Sequence, residues 1–557
     1  MKLVECVPNF SEGHDRSIID QITAEFDRAQ GVELVDVDPG EATNRTVVTV
    51  IGEPDAMVEA AFNAIKKATE LIDMRQHEGA HPRMGATDVC PFVPVSGITM
   101  EECAELARRL GKRVGKELGF WVYLYDQAAS KKEWSNLAKV RQGEYESLKD
   151  RVGEPKWKPD FGPSELNERA GATAIGAREF LIAYNINLNT RDKSYASDIA
   201  SNIRESGRVK REGDIQPFYI KGKIVFDENG KKIYLPGKFQ HCRAVGWLIE
   251  EYGLAQISIN LTNYKITPPH TVLEEARQQA RERGLIVTGS EIVGLIPLEA
   301  MLIAGRHYLD KQLKSHGVPE EQIVQTAIQS MGLRDVAPFD PDQKIVEYRF
   351  KKKGRLAGMD QKEFADVLST DSPAPGGGSV AALAGALSAA LTAMVSNLTF
   401  NKTGYKDFNE EMKDIGVKGQ RIKEFLLDAI DRDTEAFNQV MAAMRSPEED
   451  RERALEEANK QATLVPLEVL RKSLEALIIA KVAAEKGNRN TVSDAGVAGL
   501  MGRAGAEGAF YNVSINLNNM KAPDFVTSTR KLAEDYLAEA TRYSDEIAAA
   551  VRKALAG

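Results

Sequence analysis

Apolar and polar positions repeat with two different periods along this chain, and the change comes near residue 360. Before it, short apolar or alternating runs are separated by segments with a 3.6-residue repeat. KLVECVP (2–8) reads as a strand and 15–29 as a helix. VELVDVD (32–38) and RTVVTVIG (45–52) read as strands, 54–73 as a helix and CPFVPV (90–95) as another strand. The next helix opens with Thr99 and has Glu102 three residues on, a capping box. FWVYLYD (120–126) closes the unit. The order contains β-α-β-β-α-β, the ferredoxin-like arrangement, with an extra α-β appended.

The same order recurs. Strands are expected at 178–189, 243–251, 255–263 and within GLIVTGSEIVGLIP, with helices at 194–205 and 270–284. Residues 209–240 look inserted, with IKGKIVFDENGKKIYL forming a hairpin around Glu228, Asn229 and Gly230. Residues 334–359, rich in proline, aspartate and lysine, read as a linker. From 360 on, segments 360–370, 379–399, 406–445, 447–486, 491–519 and 524–556 carry helical periodicity and much alanine. The chain is therefore multidomain: an α/β half of two ferredoxin-like subdomains (1–176 and 177–333), then an all-α helical bundle (360–557). A change of class within one chain suggests two modules joined end to end.

Composition narrows the possibilities. The 557 residues exceed one hydrophobic core. A net charge of −9 argues against general nucleic-acid binding. Four cysteines (Cys6, Cys90, Cys103, Cys242) form no C-x-x-C pair, which suits a reducing cytosol. The start, MKLVECVPNFSEGHD, lacks the apolar core of a signal peptide, so a cytoplasmic protein is expected. Residues 379–400 are uncharged and long enough to span a bilayer, but alanine and polar residues make a buried bundle helix the better reading. Within it Ala381, Gly385, Ala389 and Ala393 form a small-residue stripe that lets another helix approach, within a subunit or across a dimer.

Chemistry concentrates in a few places. HEGAHPRMGATDVCPFVPV (77–95) places His81 before a proline, which holds it out of helix, ahead of a buried strand. An imidazole there can exchange a proton at neutral pH. A structural loop histidine and a metal ligand, with His77, Asp88 or Cys90 as partners, stay open. Arg83 could fix a carboxylate with two parallel bonds. Asp38, following a strand in DVDPG, could orient an imidazole or merely cap a turn. Asn9, Ser11 and Glu12 lie where the first strand ends. PAPGGGSVAALAG sets Gly376, Gly377, Gly378 and Ser379 at a helix start, either as a binding turn or as a cap, and no Walker motif follows. AIDRDTEAF places Asp431 and Asp433 on an amphipathic helix, where a solvated face competes with a proton-transfer role.

VECVPNFSEG, DVDPGEATNRTVVTVIG, EGAHPRMGATDVCPFVPV, WKPDFGPSELNERAGATAIGAREFLIAYNINLN and APGGGSVAALAGAL together resemble the formimidoyltransferase-cyclodeaminase family, over nearly the whole chain and in its domain order. The resemblance implies two ferredoxin-like transferase subdomains facing each other and a helical cyclodeaminase domain. It implies a bifunctional enzyme of histidine degradation. The formimidoyl group would pass from N-formimidoyl-L-glutamate to N5 of tetrahydrofolate. The product would then close to 5,10-methenyltetrahydrofolate with release of ammonia. It places the transferase acid/base at His81 and the cyclodeaminase acid/base at Asp433, with Asp431 second and Asp494 third. It makes Gly162, Pro163, Ser164, Glu165, Leu166, Asn167, Glu168, Arg169, Ala170 and Gly171 a folate-binding loop, and Gly376 to Ser379 a folate-facing turn. The middle of that loop is more charged than in animal members, and the 209–240 insertion is a second departure from them. Tetrahydrofolate is implied as cosubstrate, with no metal, and a homo-oligomer, at least a dimer through the helical domain, as the assembly. Lys351, Lys352 and Lys353 could attract a polyglutamate tail or form a solvated patch. Two rivals remain: a methenyltetrahydrofolate cyclohydrolase in the helical half, and a non-catalytic folate-binding scaffold.

Overall fold

The structure is a computed structural model and describes residues 2–40, 44–79, 82–212, 222–350, 354–372, 374–518 and 520–556. By internal contacts it divides into two compact units: residues 1–300 with 331–350, and residues 301–330 with 351–557.

The first unit begins with β1 (Leu3–Cys6), β2 (Asn9–Phe10), α1 (Arg16–Asp27), β3 (Val32–Gly40), β4 (Arg45–Gly52), α2 (Pro54–Leu71), β5 (Thr87–Ser96), α3 (Met100–Glu117) and β6 (Trp121–Asp126). An irregular excursion carrying α4 (Leu137–Val140) leads to β7 (Ala172–Ala177). β1 and β2 share one lane between β4 and β5. The sheet thus runs β3, β4, β1/β2, β5, β7, β6. The first four lanes are antiparallel and ferredoxin-like. β7 enters parallel between β5 and β6. That strand, ATAIGA, is absent from the sequence reading because alanine and glycine carry little strand signal.

Val4, Cys6, Phe10, Val48, Val50, Cys90 and Phe92 point into one core with residues of α1, α2 and α3. Alternate residues point to the opposite, helix-free face. There the excursion folds back, burying Trp121, Tyr123 and Tyr125 with Trp134, Val140 and Leu148.

The second repeat is β8 (Ile182–Leu188), α5 (Lys193–Ile203), β9 (Arg208–Val209), β10 (Arg211–Glu212), β11 (Lys223–Ile224), β12 (Tyr234–Leu235), β13 (Cys242–Ile249), β14 (Leu254–Leu261), α6 (Pro269–Glu282) and β15 (Val287–Val293). Its sheet, β13-β14-β8-β15, has the same ferredoxin-like order. The expected insertion is present. Asp227 to Gly230 turns the chain, but β11 and β12 pair with β10 and β9 as well as bridging at Phe226 and Lys232. Residues 213–221 of the insertion lie outside the described residues.

α7 (Leu298–Lys311) and α8 (Glu320–Met331) follow. The stretch expected as a linker, 334–359, contains α9 (Pro341–Lys344) and α10 (Val346–Phe350). Both group with the first unit, where Ile345 pairs with Ile296. Lys351, Lys352 and Lys353 lie outside the described residues.

The second unit holds α11 (Gln361–Leu368), α12 (Gly377–Thr399), α13 (Asn409–Met444), α14 (Glu448–Lys486), α15 (Val492–Leu517) and α16 (Pro523–Leu555). α12 is long and apolar enough to cross a membrane, yet 61% of its most apolar window is buried in the bundle. The small-residue stripe does its packing here. Ala381, Gly385, Ala389 and Ala393 are buried within the unit, and a Cβ on Gly385 would lie 2.6 Å from Ser473 Oγ. Residues 301–330 join this unit because the turn at Gly317 is pinned there. Its carbonyl accepts from Asn397 Nδ2 (2.7 Å) and Gln420 Nε2 (3.0 Å).

Candidate functional sites

In the first unit, four chain segments meet at one end of the sheet. Ser11, just past β2, donates through Oγ to the Gly85 carbonyl (2.8 Å), and its N–H donates to Ala86 O (2.9 Å). Glu12 turns its carboxylate onto the N–H groups of His14 and Asp15, so it caps its own turn. Asn44, in the left-handed region at φ 47°, accepts from Gly13 N and donates to Glu78 O.

His77 is fully engaged. Its Nε2 lies 2.9 Å from Asn44 O, so that nitrogen carries the hydrogen, and Nδ1 accepts from Arg83 Nε (3.2 Å). Both ring nitrogens are therefore used, which argues against the metal role left open above. Arg83 does grip a carboxylate in the expected two-bond fashion, but it is Glu146 of the same chain, at 2.7 and 3.0 Å. Asp88, fully buried, is bound by Arg141 and by the Met84 N–H. Burial raises its carboxyl above the usual range, against the pull of Arg141 and Arg45. Thus Asp88 ties the 83–88 turn to the excursion and does not stand free as a ligand.

The stretch 162–171 lies directly against this turn. Gly85 and Gly171 form an antiparallel bridge, with Ala86 N donating to Ala170 O and Ala172 N to Met84 O, both at 2.9 Å. Gly171 has φ 74°, and a Cβ there would lie 2.3 Å from Met84 O, so only glycine fits. Gly162 has φ 115°, and the Pro163 carbonyl accepts from Trp121 Nε1. Leu166 packs on the Trp121 cluster. Asn167 closes the loop end through Gly171 N and Ala170 N. Glu168 and Arg169 are held by Lys149 and by Asp73 and the Glu70 carbonyl. Ser164 and Glu165 are exposed.

Asp38 was expected after a strand; it lies inside β3, opposite Val47, because the β3–β4 ladder continues to Gly40 and Arg45. Asn9 lies opposite Val47 from the other side, so Asn9 and Asp38 share one row of the helix-free face. Asn9 is buried and donates to Val7 O. His81 lies outside the described residues, two positions from Arg83 in the sequence.

In the second unit the structure brings the glycine-serine turn and Asp433 together. Gly376 caps α12, and Gly377, Gly378 and Ser379 form its first turn. Asp433 projects from the middle of α13 onto that turn. Ser379 Oγ lies 3.3 Å from its Oδ2 and 2.9 Å from Ile430 O. A Cβ on Gly378 would stand 2.1 Å from Asp433 Oδ1, so the approach depends on that glycine. Burial raises the Asp433 carboxyl above its ordinary value, and the Ser379 hydroxyl and N–H oppose the rise. A carboxyl whose hold on a proton is strengthened by burial is placed to exchange one with a bound group.

Asp431, two residues earlier, does something else. Its oxygens accept the N–H groups of Leu356 (2.9 Å) and Ala357 (3.0 Å), fixing the turn before α11. Asp494 sits in the first turn of α15. Sequence reading did not single out the Asn44–His77–Arg83–Glu146 clasp. Its partners are up to 102 positions apart, and only the fold joins them. Nor did it single out Glu5, whose signal was one charge in the apolar run LVECV.

Three family models match the chain. A formiminotransferase domain, N-terminal subdomain, covers residues 3–178, a formiminotransferase domain covers 183–351, and formiminotransferase-cyclodeaminase covers 360–535. The formimidoyltransferase-cyclodeaminase of Dictyostelium discoideum is 42% identical over 97% of both chains. A glutamate formimidoyltransferase of Thermoplasma acidophilum is 43% identical over 56% of this chain and 93% of its own. A methenyltetrahydrofolate cyclohydrolase of Methylorubrum extorquens is 39% identical over 34% of this chain and 96% of its own.

Proposed function

We infer function from one premise: the chain belongs to the formimidoyltransferase-cyclodeaminase family. It is a bifunctional folate-dependent enzyme. It transfers the formimidoyl group from N-formimidoyl-L-glutamate to N5 of tetrahydrofolate, then cyclises the product to 5,10-methenyltetrahydrofolate and releases ammonia. The carrying observation is that likeness to bifunctional relatives runs through both halves at 97% coverage. Histidine degradation is the pathway that supplies this donor.

In the transferase step N5 attacks the formimidoyl carbon, sheds a proton, and the departing glutamate nitrogen gains one. His81 serves both transfers. Support comes from the described residues before and after it in the sequence: His77 and Arg83 bond to each other, and His77 to Asn44. Asp38 faces the same side of the sheet as Asn9 and supplies a negative charge there. The 162–171 loop, bridged to Gly85, supplies folate contacts. In the cyclodeaminase step N10 attacks the same carbon and ammonia leaves. Asp433, with its raised affinity for a proton, protonates the departing nitrogen and takes the proton of N10. The turn from Gly376 to Ser379 presents backbone N–H groups beside it.

The assembly is at least a dimer through the helical domain. The buried alanine stripe is used within the unit and does not support this. Leu387, Met394 and Leu398 on α12 and Leu500, Tyr511 and Ile515 on α15 do, since each is more than a third exposed. Four free, buried cysteines suit a cytoplasmic location.

The test follows glutamate, ammonia and methenyl absorbance together, with purified protein, tetrahydrofolate and N-formimidoyl-L-glutamate. All three should rise. The Methylorubrum relative favours one alternative for the helical half, a cyclohydrolase. Absence of ammonia from 5-formimidoyltetrahydrofolate would select it. Unchanged transfer by His81→Ala would remove that residue from the mechanism.

A further inference from the structure

Glu5 stands in the middle of β1. Its neighbours Val4 and Cys6 enter the core beneath α1–α3, so Glu5 points to the helix-free face. Its cross-strand neighbours are Ile51 and Val93. Leu3, Ile51 and Val93 are buried, and Glu5 itself is only 6% exposed. No hydrogen bond reaches its carboxyl among the described residues. The charge that faces it is Arg178, just past β7, whose Nη1 donates to Glu179 O. Burial pushes the carboxyl up to about 7, against the pull of Arg178. A buried carboxyl without hydrogen bonds is costly, and a native chain that keeps one needs a reason.

The rest of that face supplies one. Beyond Glu5 the floor is Val7, Thr49 and Val47, all half-exposed. Asn9 and Asp38 flank Val47 in the last row. Asn9 lies four positions beyond Glu5, about 13 Å at ~3.3 Å per residue. A flat bicyclic ring can lie along such a floor with one edge at Glu5 and its other ring toward the loops.

We propose that the Glu5 carboxyl is the receptor for the 2-amino and N3–H edge of the pterin ring of tetrahydrofolate. This rests on the transferase reading above. That edge offers two parallel N–H donors in one plane, the pattern a carboxylate accepts with both oxygens. The apolar walls exclude water and strengthen the pair, and Arg178 favours the anion. N5 lies in the other ring of the bicycle, so this grip turns it toward the Asn9 and Asp38 end of the floor. Glu5 is then a specificity determinant for the acceptor and takes no part in proton transfer.

The test is steady-state glutamate release by the full chain. Glu5→Gln keeps the shape but sets an N–H donor against the pterin donors. Its KM for tetrahydrofolate should rise about 30-fold or more. Its KM for N-formimidoyl-L-glutamate and its kcat should stay within about threefold. The wild-type protein supplies a second arm that needs no variant. With 2-desamino-2-methyltetrahydrofolate, which lacks one donor, its KM should rise about tenfold, and Glu5→Gln should lose that discrimination. Equal use of both acceptors by the wild type would overturn the proposal. So would an unchanged KM in a folded variant, or a fall in kcat at constant KM. No glutamate release by the wild type would reject the transferase reading itself, and this proposal with it.

Discussion

The two candidate sites are built on opposite plans. In the sheet unit, four segments are laced together by hydrogen bonds between side chains and backbone. Arg83 alone reaches His77 twice and Glu146 twice. In the helical unit, one carboxylate on α13 meets one helix start, and a missing Cβ makes room for it. Rigid helices supply the positioning that the sheet unit must assemble from loops. The difference predicts concentrated sensitivity in the helical site and distributed sensitivity in the other.

The largest expected effect separates the two chemistries. Asp433→Asn should lower methenyl formation from 5-formimidoyltetrahydrofolate by about 10²–10⁴-fold while glutamate release persists. His81→Asn should do the reverse. Each is read with both assays on one preparation. If either substitution silences both activities, the two sites are not independent, and the comparison fails.

The next effect probes the crowded contact. Gly378→Ala places a methyl 2.1 Å from Asp433 Oδ1, which forces the carboxylate or the first turn of α12 to move. A displacement near 1 Å is enough to cost about 100-fold in rate. Ammonia release measures it. In the sheet unit, Arg83→Lys removes the two-bond grip on Glu146 but keeps a charge, and neighbouring bonds share the load. Transfer should fall about tenfold or less. A larger fall for Arg83→Lys than for Gly378→Ala would reverse the ranking.

Both plans differ in how far they show in the sequence. Periodicity carries the two β-α-β-β-α-β repeats and the bundle, because each element buries a continuous face. It misses β7, whose alanines and glycine are selected by close packing against Tyr125 and Pro91, not by strand propensity. APGGGS and the Asp433 helix are legible as separate motifs. That they touch is a property of how α12 packs on α13. The clasp is less legible still: His77 and Arg83 stand out as side chains with chemistry, but Asn44 and Glu146 look like ordinary loop residues until the sheet brings all four together. Glu5 is visible as an anomaly, and only its burial gives it meaning.

That burial can be checked without any substrate. In the folded protein the Glu5 carboxyl holds its proton up to about pH 7, whereas an unperturbed glutamate releases it near 4.5. Between those values the folded state binds more protons, so stability falls as pH rises through the window. The gap corresponds to about 3 kcal/mol at most. Glu5→Gln removes the titration. Relative to wild type, the variant should gain thermal stability between pH 5 and pH 8, with melting curves as the readout. A pH-independent difference would mean that Glu5 is solvated.

The smallest effect tests the division of labour within one helix. Asp431 and Asp433 differ by two positions, which on a helix turns them about 200° apart. Asp431 accepts two backbone N–H groups, and a Cβ on Gly354 would touch its Oδ2 at 2.2 Å, so its carboxylate is already surrounded. Asp431→Ala leaves the N–H groups of Leu356 and Ala357 without their acceptor, a cost of about 1–2 kcal/mol. The turn before α11 should loosen, visible as faster amide exchange at those two residues. Methenyl formation should stay within about threefold of wild type, because the Asp431 carboxylate bonds the turn before α11, whereas Ser379 bonds Asp433. A collapse of ammonia release as deep as that of Asp433→Asn would show that the carboxylate holding the turn is also the one that moves the proton, and the contrast between the two aspartates would be lost.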